Sequence, residues 1–185
     1  MSYLPSLPEG AVLMDVFRAF PDTVPALTEH HKIVLRGPSV FSVAERELIA
    51  AYVSGLNECQ YCQGVHGATA EAFGIPEGVL AALLGDLDTA PIEEKFRTLL
   101  RYLRTLTLSP HRLTEADAAA VFAAGWDEKA LYDAVSVCAL FNFMNRFVAG
   151  LGIAADAAYF AAAAQRFVAD VDYAAYRDVA TESGH

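Results

Sequence analysis

The sequence predicts an all-α protein, and three observations support this fold class. Alanine is abundant, apolar residues recur at spacings of three and four, and no run of alternating β-branched residues appears in the 185-residue chain. Spacings of three and four place side chains on one face of a helix, whereas alternation is typical of strands. With 55% hydrophobic residues, the chain can bury a full core without disulfides or metals.

We expect one multi-helical domain over residues 1–185, with a helical extension at 1–40 and a polar tail at 170–185. The first helix, Leu13–Phe20, is closed by Pro21, because proline cannot continue a helix. The second, Pro25–Leu35, is closed by Gly37.

Two capping signals then start a pair of helices. Ser42 and Glu45 have the spacing of a capping box and predict a helix through Leu56. Asn57 is a favoured N-cap residue, so we expect it to start the next helix, Cys59–Phe73.

The remaining helices have proline in the first turn or an N-cap Thr or Asp, and several end at glycine. They are predicted at Pro76–Leu84, Pro91–Leu106, Glu115–Ala124, Glu128–Ala149 and Asp156–Ala169. The helix Glu128–Ala149 is apolar around most of its circumference, which is typical of a central helix or one buried between subunits. We therefore expect a homo-oligomer.

Composition excludes several classes of function. With 13 Lys+Arg against 23 Asp+Glu, the net charge is −10, and no basic cluster offers a surface to nucleic acid or anionic membranes. The longest uncharged stretches are about 12 residues, whereas a membrane-spanning helix needs roughly 20. The first residues lack the pattern of a secretory signal, so we expect a cytoplasmic protein.

Cys59, Cys62 and His66 are spaced by three and four, so they share one face of their helix. A helix N-terminus and a nearby histidine both promote loss of a thiol proton. We therefore expect an exposed thiolate at neutral pH. Two thiols on adjacent turns allow one to attack a peroxide and the other to close a disulfide, with no metal or bound cofactor and an external reductant to reopen it.

The pattern Glu47-x11-Cys59-x2-Cys62-x3-His66 resembles the alkylhydroperoxidase (AhpD-like) members of the carboxymuconolactone decarboxylase superfamily. The similarity covers most of residues 10–170 and is greatest with the peroxidase-related proteins of that superfamily.

The resemblance implies an AhpD-like helical bundle with Cys-x-x-Cys at the N-terminus of a central helix. It implies that Cys62 is oxidised to a sulfenic acid by hydrogen peroxide or an organic hydroperoxide, and that Cys59 is its proton donor and disulfide partner. His66 and Glu47 would form the relay that takes the proton from Cys62. It also implies a homotrimer or hexamer and a reductant that is an external thiol or a lipoyl-bearing chain.

One position departs from that pattern. The best-studied alkylhydroperoxidases have a histidine directly before the second cysteine, where this chain has Tyr61. A tyrosine titrates near pH 10, so it can donate a hydrogen bond but cannot act as a base near neutrality.

Two alternatives remain open at this level. Cys59, Cys62 and His66 are also three metal-ligating side chains, although tetrahedral sites normally draw ligands from more than one segment. A redox-sensing or interaction protein could use the same thiols without turnover.

The other polar candidates have no partners at useful spacing. We expect surface positions for the remaining histidines, which are His30, His31, His111 and His185. Asn145 and Arg146 interrupt an apolar helix and are expected to face a subunit boundary or a cavity, without a catalytic role.

Overall fold

The computed structural model describes residues 2–170, and within that range it contains helices and turns but no strand. The helices are Leu13–Ala19 (α1), Val24–Arg36 (α2), Val43–Leu56 (α3), Gln60–Ala72 (α4), Val79–Gly85 (α5), Glu94–Leu108 (α6), Glu115–Ala123 (α7), Glu128–Gly150 (α8) and Ala157–Ala169 (α9). Single 3-10 turns lie at Pro21–Thr23 and Pro110–Arg112. The all-α prediction is confirmed. The predicted tail after residue 170 lies outside the described residues.

The fold is built around α3 and α4, which pack along each other. α9 covers α4, whereas α8 packs against α3, α6, α2 and α4. Close approach of α9 depends on Gly64, because a Cβ there would overlap the Phe160 ring. The helix α3 is buried along nearly its whole length, as expected for the centre of a helical domain.

The capping signals fix several helix starts as predicted. The Ser42 hydroxyl accepts the Glu45 N–H, and the Glu45 carboxylate accepts the Ser42 N–H at 2.7 Å. The same reciprocal arrangement joins Thr114 and Asp117 at α7. Asp127 caps α8 by accepting the N–H of Ala130.

Two helices begin later than predicted. α5 begins at Val79 because Gly78 takes a left-handed conformation (φ 83°) and interrupts the turn that starts at Pro76. α6 begins at Glu94 because the preceding residues are held in a turn by Arg97, whose guanidinium donates to the carbonyl oxygen of Ala90 at 2.7 Å.

The N-terminal segment is fixed to the body of the protein. The Tyr3 N–H donates to the Leu151 carbonyl oxygen at 2.9 Å, and the Ser2 hydroxyl donates to the same oxygen. α1 buries Leu13, Val16 and Phe17. Residues 2–40, predicted as an extension, therefore pack against the rest of the domain.

Candidate active site

The turn between α3 and α4 places Cys59 at the N-cap of α4. Glu58 adopts a left-handed conformation (φ 56°), and the Cys59 N–H then donates to the Ser54 carbonyl oxygen at 2.9 Å. The predicted cap at Asn57 is wrong, because its side-chain amide donates instead to Asn145 Oδ1 at 2.9 Å. Cys59 thus lies where the first N–H groups of the helix are available.

The two thiols interact directly. A hydrogen bond from the Cys62 thiol lowers the pKa of Cys59 to about 7, against the opposing effect of burial. Hydrogen bonds from the backbone N–H of Cys62, the side chain of Asn145 and the backbone N–H of Tyr61 lower this pKa further. The same contact raises the pKa of Cys62, since its thiol donates to Cys59, and burial and the nearby charge on Cys59 add to the effect.

The pair therefore has one proton near neutral pH, and Cys59 is the sulfur that bears the negative charge. The expectation of an exposed thiolate is wrong in one respect, because Cys59 and Cys62 are only 8% and 4% exposed. The α3 to α4 turn and the covering helices enclose both sulfurs. Only Cys62 of the two lines the adjoining pocket.

Glu47 and His66 form the second buried pair. His66 Nδ1 lies 2.6 Å from Glu47 Oε2, and the Glu47 side chain is fully buried. Burial alone would raise the pKa of Glu47, but the charge interaction and hydrogen bond with His66, together with those of Arg36, hold it below its ordinary value. An ionised carboxylate accepts only, so His66 donates through Nδ1–H and Nε2 is the basic nitrogen of the neutral ring.

Arg36, at the end of α2, is the second partner of Glu47. Its guanidinium nitrogen lies 2.6 Å from Glu47 Oε1, and its side chain is 6% exposed. The guanidinium carbon also lies 5.3 Å from the centre of the Phe73 ring, within range of a cation–π contact. The buried carboxylate therefore has a compensating charge, without which its ionised form would be strongly disfavoured.

Asn145 connects α8 to the thiols. Its side-chain amide donates to the Ser54 hydroxyl at 2.9 Å, while its oxygen accepts from Asn57. A further hydrogen bond from this side chain lowers the pKa of both Cys59 and Cys62. The sequence predicts that Asn145 faces a cavity or a subunit boundary. It does not predict the contact of Asn145 with the thiols.

An apolar pocket adjoins Cys62. Its lining residues come from α1, α2, α4, α8 and α9 and are Leu13, Phe17, Leu27, Thr28, His31, Tyr61, Cys62, Val65, His66, Phe141, Met144 and Phe167. The volume of the cavity is small, about 40 Å³. Tyr61 contributes an aromatic wall, with its hydroxyl 2.9 Å from that of Tyr159.

His31 lies in this pocket, so the prediction of a surface position for it is wrong. Its Nδ1 is 2.8 Å from the Leu27 carbonyl oxygen one turn earlier, an arrangement in which Nδ1–H donates. Its ring and that of His66 both make edge contacts with Phe141, at centroid distances of 6.3 Å and 4.4 Å. Burial lowers the pKa of His31 to about 4, outweighing the backbone hydrogen bond, so the ring is neutral at physiological pH.

The predicted site residues thus fall into two contacting pairs, Cys59 with Cys62 and Glu47 with His66, brought together by α3 and α4. Within residues 2–170, no group of three or more His, Cys, Asp or Glu side chains is arranged to hold a metal ion. None of the helices in that range has both the length and the apolar character needed to cross a bilayer.

Comparisons with known proteins agree with this architecture. Residues 21–105 match the model of the carboxymuconolactone decarboxylase family. A crystal structure of an uncharacterized peroxidase-related protein from Silicibacter sp. TM1040 superposes with a TM-score of 0.74 at 25% identity, over 80% of this chain and 78% of that one.

A second crystal structure, of an alkylhydroperoxidase AhpD core protein from Ralstonia eutropha JMP134, also uncharacterized and peroxidase-related, shares the fold. It superposes with a TM-score of 0.73 at 23% identity, over 78% of this chain and 76% of that one. No curated protein matches the chain. The matched segment contains Glu47, Cys59, Cys62 and His66, and the family match and the shared fold both support the resemblance to the AhpD-like proteins of the carboxymuconolactone decarboxylase superfamily.

Proposed function

We propose that this protein is a thiol peroxidase that reduces hydrogen peroxide or organic hydroperoxides with Cys62 and Cys59. The observation that carries the proposal is the position of Cys62, which contacts Cys59 on one side and lines a pocket shared with His66 on the other. The similarity in fold to the peroxidase-related protein from Silicibacter sp. TM1040 supports the same chemistry.

In the first step the Cys62 proton passes along its hydrogen bond to Cys59, or to the basic nitrogen of His66. The Cys62 thiolate attacks the terminal oxygen of the hydroperoxide, so that an S–O bond forms and the O–O bond breaks. The leaving alkoxide takes this proton back from Cys59 or from His66, whichever holds it, and departs as the alcohol. Cys62 is left as a sulfenic acid.

In the second step Cys59 attacks the sulfenic sulfur of Cys62. The S–S bond forms, the S–O bond breaks, and the leaving hydroxide takes a proton and departs as water. Across both steps the peroxide gains two electrons from the cysteine pair. The one proton of the pair ends on the alcohol, or on water when the substrate is hydrogen peroxide, and the solvent supplies the proton that the leaving hydroxide takes in the second step. The acidity of Cys59 favours this step, because at neutral pH much of it is already thiolate.

Glu47 and His66 would act together in the proton transfers. The Glu47 carboxylate accepts a hydrogen bond from His66 Nδ1–H and so fixes the ring. Nε2 is then the nitrogen that can accept a proton and return it. Arg36 would be a positioning residue that keeps Glu47 ionised and aligned.

The cycle needs an external dithiol, of the lipoyl type or another, to reopen the disulfide by thiol exchange. A homo-oligomer, a trimer or hexamer, remains part of the proposal. It is supported by aromatic side chains on the outer face of α8, where Tyr132 is 69% and Phe143 52% exposed.

The proposal is tested by adding one equivalent of an alkyl hydroperoxide to the reduced, chelator-treated protein, with the metal content measured beforehand. We expect rapid formation of a Cys59–Cys62 disulfide, detected by mass spectrometry of alkylated peptides. Cys138 is an internal control, because burial raises its pKa and it should stay reduced.

Turnover distinguishes an enzyme from a sensor. With excess peroxide and a dithiol present, a peroxidase consumes peroxide through many cycles. Oxidation of the pair no faster than that of a free thiol would overturn the proposal.

A further inference from the structure

The walls of the pocket beside Cys62 come from the segment that matches the family and from residues on both sides of it, with Phe141, Met144 and Phe167 following the segment. The segment 21–105, which matches the family, supplies α2 and α4, including His31, Tyr61 and His66. Leu13 and Phe17, both on α1, precede that segment. This wall is therefore added by residues outside the part of the chain that carries the predicted catalytic side chains.

α1 is held firmly enough to act as a wall. Leu13, Val16 and Phe17 are all buried, and the Val12 N–H is capped by the Asp15 carboxylate at 3.0 Å. The residues before it are tied to the end of α8 through the Tyr3 N–H. The helix is thus anchored both through its buried face and through its N-terminal connection.

The enclosed space is small. One water molecule needs roughly 10 to 15 Å³ of cavity volume. A cavity of about 40 Å³ therefore holds about three waters. That is room for the two oxygens of a peroxide and a short alkyl group, but a phenyl ring would not fit without movement of the walls. Among the lining residues in the described part of the chain, none carries a permanent charge, which suits an alkyl substituent.

We propose that the site, if it acts as the thiol peroxidase described above, selects hydrogen peroxide and short-chain alkyl hydroperoxides, and that Leu13 and Phe17 set the upper size limit. These two are specificity-determining residues. They contact the substituent of the peroxide, whereas the reacting oxygens lie against Cys62.

The test compares second-order rates of thiol oxidation by hydrogen peroxide, ethyl hydroperoxide and cumene hydroperoxide. In the wild type we expect the two small peroxides to react at least about tenfold faster than cumene hydroperoxide, the selectivity that a hydrophobic pocket gives for small differences in size. Phe17→Ala should raise the ratio of the cumene rate to the hydrogen peroxide rate by a similar factor.

Two further variants distinguish a change in the size of the pocket from a general loss of stability. Phe17→Leu keeps most of the buried apolar volume and should shift the ratio in the same direction by a smaller factor. Val16→Ala shortens a neighbouring side chain of α1 that is buried but does not line the pocket, so it should leave the ratio unchanged. Equal rates for all three peroxides in the wild type, or a ratio unmoved in both Phe17 variants, would overturn the size limit.

A second measurement does not depend on peroxidase activity. In Cys59→Ser, Cys62 is modified with methanethiosulfonate reagents bearing a methyl or a benzyl group, with and without Phe17→Leu. We expect the benzyl reagent to be slower by about tenfold, and Phe17→Leu to narrow the gap. Slow oxidation by every peroxide, with this reagent selectivity intact, would mean that the peroxidase proposal fails while the size-limited pocket stands.

Discussion

His66 Nδ1 and Glu47 Oε2 lie 2.6 Å apart in a part of the core where the carboxylate has no access to solvent. This contact joins α4 to α3 and determines which nitrogen of the imidazole holds its proton. A buried carboxylate that is ionised needs compensation, and Arg36 provides it from α2. Three helices therefore converge on one charge.

Replacing Glu47 with Gln should destabilise the protein. The change leaves Arg36 buried without its anionic partner, and loss of one member of a buried ion pair costs about 3–5 kcal/mol. The free energy of unfolding from urea titration should fall by that order. Glu45→Gln, two positions away in an exposed capping box, is the control and should change it little, because glutamine also fits that position. Equal effects of the two substitutions would contradict the account.

The thiol pair should lose its first proton near neutrality. The rate of alkylation of Cys59 by iodoacetamide should rise through pH 7, because its pKa is about 7 in the pair. In Cys62→Ala the strongest stabilising hydrogen bond is lost, so the midpoint should move to higher pH. A midpoint that stays in place in Cys62→Ala would show that the two sulfurs do not share a proton.

Asn145→Ala should raise the pKa of the Cys59 thiol, so that less of it is thiolate at neutral pH. Its side chain donates to the sulfur pair, and a hydrogen bond to a charged group is worth about 1.5–3 kcal/mol. We expect peroxide oxidation at pH 7 to slow by roughly tenfold or more, with the alkylation midpoint of Cys59 raised. Asn142→Ala removes a neighbouring amide on α8 that also contacts Asn57 and is the matched control, expected to keep most of the rate.

His31 should make the protein sensitive to mild acid. Its folded pKa of about 4 lies below the ordinary value of 6.5, so the unfolded chain binds more protons between those two pH values. The contribution of neutral His31 to the free energy of unfolding should therefore be complete above pH 6.5 and be lost as the pH drops toward 4. The loss should reach up to about 3 kcal/mol. Urea titrations at a series of pH values should show this loss in the wild type and a smaller one in His31→Asn. The same pH dependence in both proteins would refute it.

The sequence predicted the helices well because their signals are local. Ser42 with Glu45 and Thr114 with Asp117 act within one turn, and the structure has both contacts. Asn57 failed as a cap because its amide is used by α8, a partner far away in the chain. The face shared by Cys59, Cys62 and His66 follows from helical spacing alone.

The rest of the candidate site depends on packing between helices, which spacing does not reveal. Glu47 enters the candidate site only through the family resemblance. Arg36 and His31 reach the site from α2, and no periodic pattern indicated either. Asn145 did leave a signal, as a polar residue in an apolar helix, but its contact with the thiols requires the packing of α8 on the turn before α4.

The most direct test of the central claim identifies the sulfur that receives the oxygen. Reduced Cys59→Ser and Cys62→Ser variants are treated with one equivalent of hydrogen peroxide in the presence of dimedone, and the adduct is located by peptide mass spectrometry. The account predicts a sulfenic acid adduct on Cys62 in Cys59→Ser and little adduct on Cys59 in Cys62→Ser. An adduct that forms faster on Cys59 would reverse the roles of the two cysteines and contradict the account.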